Sequence, residues 1–178
     1  MINFRILFFF SIIPTVLTFA KSKSFDFKDP KNVNNIIFQM DAPLESINGS
    51  GDEISGSVNF DPLNPENTSG QITLGAKSLH VGNPVLKEHM HGNDWLDVQK
   101  FPTINFTLNK LKDIKQEGIN YHANAHGKMK IRNVTLNMEI PVKITFLKGM
   151  LEKRNRVKGD LLIIRSKFSV NRDDFNIQ

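Results

Sequence analysis

"INYHANAHGKMKI", residues 119–131, and "TLNMEIPVKITF", residues 135–146, decide the fold. In the first, Tyr121, Ala123, Ala125, Gly127, Met129 and Ile131 share one face of an extended chain. In the second, Leu136, Met138, Ile140, Val142, Ile144 and Phe146 do the same. Strand side chains point alternately to opposite faces, so a period of two marks strands with one buried and one solvated side. Each run is about a dozen residues long, roughly twice an ordinary strand. Long antiparallel strands that follow one another in sequence must curl or close to cover their edges, which favours a barrel over a flat sheet. The small residues Ala123, Ala125 and Gly127 in one file let the wall bend, or leave room inside it.

Outward from these runs the alternation recurs from Val33 onward, separated by Gly, Asn, Asp and Pro clusters. "ISGSVNF" aligns Ile54, Val58 and Phe60, "QITLGAKSL" aligns Ile72, Leu74 and Ala76, and "TINFTL" aligns Ile104, Phe106 and Leu108. "VNNIIFQMDAPLES" offers only Ile36, Phe38 and Met40. At least seven strands are expected between Val33 and Val170. The connections richest in breakers are "DPLNPENTSG" and "GNPVLKEHMHGND". In the second, Asn83 and Pro84 read as an N-cap followed by a first-turn proline, so a short helix is expected over residues 84–91.

With 178 residues, 39% hydrophobic and 23% charged, the chain fits one globular domain. Its N-terminus reads differently: Arg5, the apolar run "ILFFFSIIPTVL", then Thr18-Phe19-Ala20 form a secretory leader pattern ending at Ala20. A membrane anchor is the rival, but Pro14 interrupts the run and a span needs about 20 residues. The expected organisation is a leader over 1–20, a linker over 21–32 and a barrel domain over 33–178. A periplasmic or secreted protein without stable membrane insertion after cleavage is implied. The chain has no cysteine, hence no disulfide and no thiol nucleophile. Removing the leader lowers the formal net charge of +5 by only one. Basic residues concentrate in "KGMLEKRNRVKGD", where Lys148, Lys153, Arg154, Arg156 and Lys158 outnumber Glu152 and Asp160. The cluster joins two strands without interleaved aromatics, so it reads as a solvated loop, with weak contact to anionic lipid as the minor reading and no nucleic-acid partner.

Catalysis and metal binding find little support. No Gly-x-Ser-x-Gly elbow occurs, and the acid pairs Asp94 with Asp97 and Asp173 with Asp174 are ordinary for a surface. His89 and His91 could join His80 or Asp94 around a metal if they lay on a strand. At a helix end, two-apart side chains diverge by about 200°, so a histidine interacting with the last helical carbonyls is the favoured reading. His122 and His126 fall on the face opposite Tyr121 and Ala123, toward solvent. No enzyme activity, no metal and no cofactor are expected.

"ISGSVNFDPLNPENTSGQITLGAKSLHVGNPVLKEHMHGNDWLDVQKFPTINF", "HGKMKIRNVTLNMEIPVKITF" and "SKFSVNRDDFNI" together resemble the YceI-like family of secreted, lipocalin-like barrels associated with polyisoprenoid binding. The most specific stretch is "EHMHGNDWLDVQKFPTINF", where the family has a histidine-bearing short helix, an aromatic-Leu-Asp step and an aromatic-Pro-x-Ile-x-Phe start to a strand. The resemblance implies an all-β, antiparallel, lipocalin-like barrel with one short helix in a mouth loop. Asn133 stands where the family usually has glycine, at a turn expected to need positive φ. The family typically adds a strand after the "NRDDFNI" segment, and this chain stops at Gln178, so a barrel short of its closing strand is expected.

The function expected is a carrier that buries an apolar chain, an isoprenoid as the resemblance implies, inside the barrel. The wall residues are Phe60, Ile72, Leu74, Ile104, Phe106, Ala125, Met129, Met138 and Ile140. Trp95 and Phe101 would cover the mouth, where Met90 and Leu96 add apolar surface to a polar connection; they act as a lid over a ligand or as a plug of the core. Filling the cavity with Ala125→Phe is expected to abolish uptake without preventing cooperative melting. The alternative function is a partner-protein module, a homodimer included, that pairs through an open barrel edge beside "FSVNRDDFNI", and the third reading is a metal-binding or redox-associated protein using His89 and His91.

Overall fold

The computed structural model describes residues 22–29, 31, 33–42, 45–155 and 157–177. The leader expected over 1–20 lies outside them. Ten strands form: β1 (Lys23–Asp26), β2 (Ile36–Ala42), β3 (Glu45–Gly51), β4 (Ile54–Phe60), β5 (Ser69–Gly75), β6 (His80–Val81), β7 (Thr103–Glu117), β8 (Asn120–Ile131), β9 (Val134–Leu147) and β10 (Leu161–Ser166). Two short helices are α1 (Pro84–His91) and α2 (Leu151–Asn155). No helix among the described residues is long and apolar enough to cross a membrane.

Seven strands make one antiparallel sheet in the order β1-β4-β5-β7-β8-β9-β10, curled into a nearly closed barrel. A second ribbon, β2-β3-β6, completes the strand set. The two runs that decided the fold behave as their alternation requires. On β8, every residue from Tyr121 to Ile131 at odd positions is buried, and none at even positions is. On β9, the even positions turn inward, with Ile140 and Ile144 4% and 2% exposed. Register aligns the two files, pairing Tyr121 with Ile144, Ala125 with Ile140 and Met129 with Leu136.

The period of two fails on β7, which runs to Glu117, well past "TINFTL". Register shifts between Leu108 and Lys110, and again between Lys112 and Lys115, so the inward file continues through Leu111 and Ile114. Each bulge adds a residue and flips the parity, and Asp113 takes φ 51 in the second. At the β8–β9 turn the left-handed residue is Arg132, with φ 54, and not Asn133 as expected. The Arg132 guanidinium holds its place by donating to the carbonyls of Asn176 (2.6 Å) and Asn93 (3.2 Å).

One part of the expected linker is structural. Lys23–Asp26 pairs along β4, from Lys23 opposite Phe60 to Asp26 opposite Ser57, and buries part of Phe25. Four residues carrying one apolar side chain have too little periodicity to be read as a strand. After β10 the described chain forms no further strand; it ends in a single turn at Asp173–Phe175, and Phe175 and Ile177 insert into the core at 2% and 6% exposure.

Candidate functional site

The mouth is built on α1. The Asn83 side chain accepts from the N–H groups of Val85 (2.9 Å) and Leu86 (3.3 Å), starting the helix where expected. Met90, Leu96 and Val98 then descend into the core, so in this state the connection is a plug. Trp95 is half-buried against it, with the Arg172 guanidinium 4.9 Å over its ring. Phe101, also half-buried, has Lys100 and Arg132 at 5.4 and 5.7 Å from its ring centre. The C-terminal segment thus crosses the mouth beside the loop. His91 Nε2 lies 2.8 Å from the carbonyl of Leu79, not from a carbonyl of its own helix, while His89 is exposed. They do not converge on one site.

Most of the expected wall residues lie inward and are closely packed. Phe60, Leu74, Ala125, Met129 and Ile140 belong to the main core, with Ile104, Phe106 and Met138 half-buried against it; Ile72 is half-buried outside that cluster. Phe60 makes edge contact with Tyr121 at 5.3 Å and a tilted one with Phe146 at 6.0 Å. The room left by the small file is taken: a Cβ on Gly127 would fall 2.6 Å from Phe106 Cζ and 2.3 Å from the Thr107 carbonyl oxygen.

Open space lies instead beside β9. β10 pairs only with Val142–Leu147, and no strand among the described residues covers the outer edge of β9 from Val134 to Pro141. A cleft of about 630 Å³ opens there, between Leu136, Asn137, Met138 and Glu139 on one side and Ser169, Val170, Asn171, Asp174 and Phe175 on the other. Its lining mixes the apolar Leu136, Met138, Val170 and Phe175 with polar and acidic side chains, and its size falls in the range of small-molecule sites. Of the residues expected to touch a ligand, Met138 lines it. Leu136, Val170 and Phe175, which also line the cleft, were not among the expected residues; the available signal for the last two was the apolar residues of "FSVNRDDFNI" inside an otherwise polar segment.

The other break in the sheet is different. β1 and β10, its two edges, are not paired, but side chains tie the segments around them together: Phe25 of β1 packs edge-on against Phe146 of β9 at 6.3 Å, Lys23 of β1 pairs with Asp160 just before β10, and Arg154 of α2 pairs with Asp29 just after β1. Lys31 adds a bond to the Arg154 carbonyl at 2.6 Å. The Lys23 ammonium and the Gly149 N–H hold the Asp160 carboxyl below its ordinary pKa. Asp61, at 7% exposure, is lowered as well, by the Asn64 side chain and then the Leu63 N–H. Burial, then the charge of Asp61, raises the Tyr121 phenol, whose hydroxyl donates to the Pro62 carbonyl at 3.2 Å.

On the outer face, Asp113, His126 and Glu139 bring one donor atom each to within 4.8 Å of one another, a spacing a divalent ion could bridge. His126 is therefore not simply solvated: its Nε2 is buried and 3.3 Å from Glu139 Oε2. His122 is exposed, as expected.

The amino-acid sequence that builds this curled sheet and mouth helix matches the YceI-like domain over residues 19–178. The chain belongs to the YceI-like family. Curated relatives include a UPF0312 protein of Yersinia enterocolitica, 28% identical over 89 residues, 50% of this chain and 41% of that one. A UPF0312 protein of Yersinia pestis is 26% identical over 97 residues, 54% of this chain and 48% of that one. The matched region thus spans less than half of each relative. Among solved structures, Burkholderia cenocepacia BcnA superposes with a TM-score of 0.51 at 20% identity, covering 80% of this chain and 79% of BcnA. A mutant Campylobacter jejuni YceI protein gives 0.51 at 14% identity, covering 80% and 98%. These two share the fold with the YceI-like chain.

Proposed function

We propose that this YceI-like protein is a carrier for a long apolar chain, a polyisoprenoid or related lipid, held at the β9 cleft. The observation that carries the reading is the cleft itself: Leu136, Met138, Val170 and Phe175 supply its apolar lining, beside a stretch of β9 that no strand among the described residues covers. A five-carbon isoprene unit at the practical ceiling of ~0.3 kcal/mol per heavy atom contributes about 1.5 kcal/mol. Four units give about 6 kcal/mol, a Kd of tens of micromolar, and six reach about a micromolar or better without a charged clamp. The leader pattern of residues 1–20 supports a periplasmic or secreted setting. The reading asks only for binding and uses no catalytic group.

Mass spectrometry of lipids extracted from natively purified protein tests this without a prior guess at the ligand. Met138→Trp, which fills the cleft, is expected to lower uptake of a fluorescent polyisoprenoid at least about tenfold with its melting temperature kept. Unchanged uptake removes the cleft as the site.

A second reading rests on the same stretch of β9. Its unpaired edge from Val134 to Pro141 is a template for a strand from another chain, a second copy included. Light scattering that gives a monomer at high concentration counts against self-pairing.

A further inference from the structure

Across four neighbouring strands a basic residue occupies the same level of the outer face. Lys115 of β7 pairs with His122 of β8, His122 with Lys143 of β9, and Lys143 with Arg165 of β10. All four are exposed, and none forms an ion pair among the described residues. With strands about 4.8 Å apart, the row spans roughly 14 Å. Lys143 and Arg165 are like charges directly opposite one another, which weakens a sheet, so that pairing works against stability unless an anion meets it. Lys112, Lys128 and Lys130 extend the same face. Its acids are Asp113, which accepts from Asn124, Glu139, which lies beside His126, and Glu117, two residues from Lys115 on β7.

We propose that this row docks the barrel on an anionic membrane surface. Protein interfaces are depleted in lysine and rich in aromatics at their centre, and single-stranded nucleic-acid faces interleave aromatics with the bases' phosphates. The row has no aromatic, and the next level, Lys112, Asn124 and Pro141, is polar or small. A bilayer of diffuse negative charge needs neither aromatics nor fixed donor geometry. The position also fits. Lys143 stands four residues along β9 from Glu139 at the rim of the cleft, about 13 Å at the rise of a strand. The connection bearing the exposed Lys148, Lys153 and Lys158 leaves the same two strands. The inference concerns the outer face and stands whether or not the cleft takes a lipid.

Flotation of the purified protein with vesicles of phosphatidylcholine, alone or with about a third replaced by phosphatidylglycerol, tests it. Binding is expected only with the anionic lipid. At about fivefold per basic residue, Lys115→Gln with Lys143→Gln and Arg165→Gln should weaken it on the order of a hundredfold. The same charge removed elsewhere, by Lys28→Gln with Lys77→Gln and Lys87→Gln, should change it less than about fivefold. Melting curves confirm that both triple variants are folded, and removing aligned like charges should not lower the first one's midpoint. Equal loss in the two variants, binding indifferent to lipid charge, no binding at all, or tighter binding to a single-stranded oligonucleotide than to vesicles would each overturn the proposal.

Discussion

The barrel is interrupted twice, and the two interruptions are built from different chemistry. Between β1 and β10 no ladder forms, yet a ring pair and two ion pairs stitch the edges together. Along Val134–Pro141 of β9 no ladder forms among the described residues either, and the surfaces that face each other mix apolar side chains with polar ones and carry no ion pair across the gap among those residues. Backbone closure is one way to protect a sheet edge, and covering it with side chains is another. The first interruption is therefore part of the scaffold. The second has the composition of a place where something binds.

The contrast fails if the scaffold side tolerates damage as well as the cleft does. Phe60 has no exposed surface and lies against both Tyr121 and Phe146 behind the stitched seam. Phe60→Ala is expected to cost about 3–5 kcal/mol in urea unfolding, since surrounding rings cannot fully collapse into the space. Ala125→Phe comes next. Ala125 is 3% exposed between Leu111 and Ile140 in register, so a phenyl there overpacks the core by about 1–3 kcal/mol. The sequence alone suggested a variant that loses binding more than stability and still melts cooperatively; the packing adds an expected loss of stability, and a melting temperature equal to the parent's would reveal a void the wall does not show. Met138→Ala, at the rim of the cleft, should cost no more than about 1 kcal/mol. A loss matching that of Phe60→Ala would mean that the cleft is core.

What the sequence made legible follows from where its periodicity was clean. β8 and β9, the mouth helix and its Asn83 cap, and the inward placement of Phe60, Leu74, Met129 and Ile140 were all readable. β7 was read only to Leu108, because two bulges break the alternation among its lysines. β1 was invisible, since a four-residue strand is defined by its partner and not by its own pattern. The cleft was missed for a third reason. A gap depends on which stretch of β9 lacks a neighbour, and alternation reports the face of a residue, never its lateral partner.

The smallest expected effect sharpens the comparison most. Asp160 accepts from Lys23 and from the Gly149 N–H, and these contacts lower its pKa in the folded chain. A carboxyl depressed on folding stabilises the protein above its unfolded pKa, near 4, and that contribution is lost as pH falls through the folded value. With Lys23 52% exposed, solvent screens the pair, so Asp160→Asn should cost less than about 1 kcal/mol at neutral pH. The deficit should shrink below pH about 4 and vanish once the parent's carboxyl is protonated, because parent and variant then carry the same charge. Thermal melts of both proteins from neutral to acid pH measure it. A deficit that persists in acid would assign the effect to the lost geometry of the loop at Gly149 and not to charge across the seam, and the Phe25–Phe146 contact would then be the element that holds the two edges together.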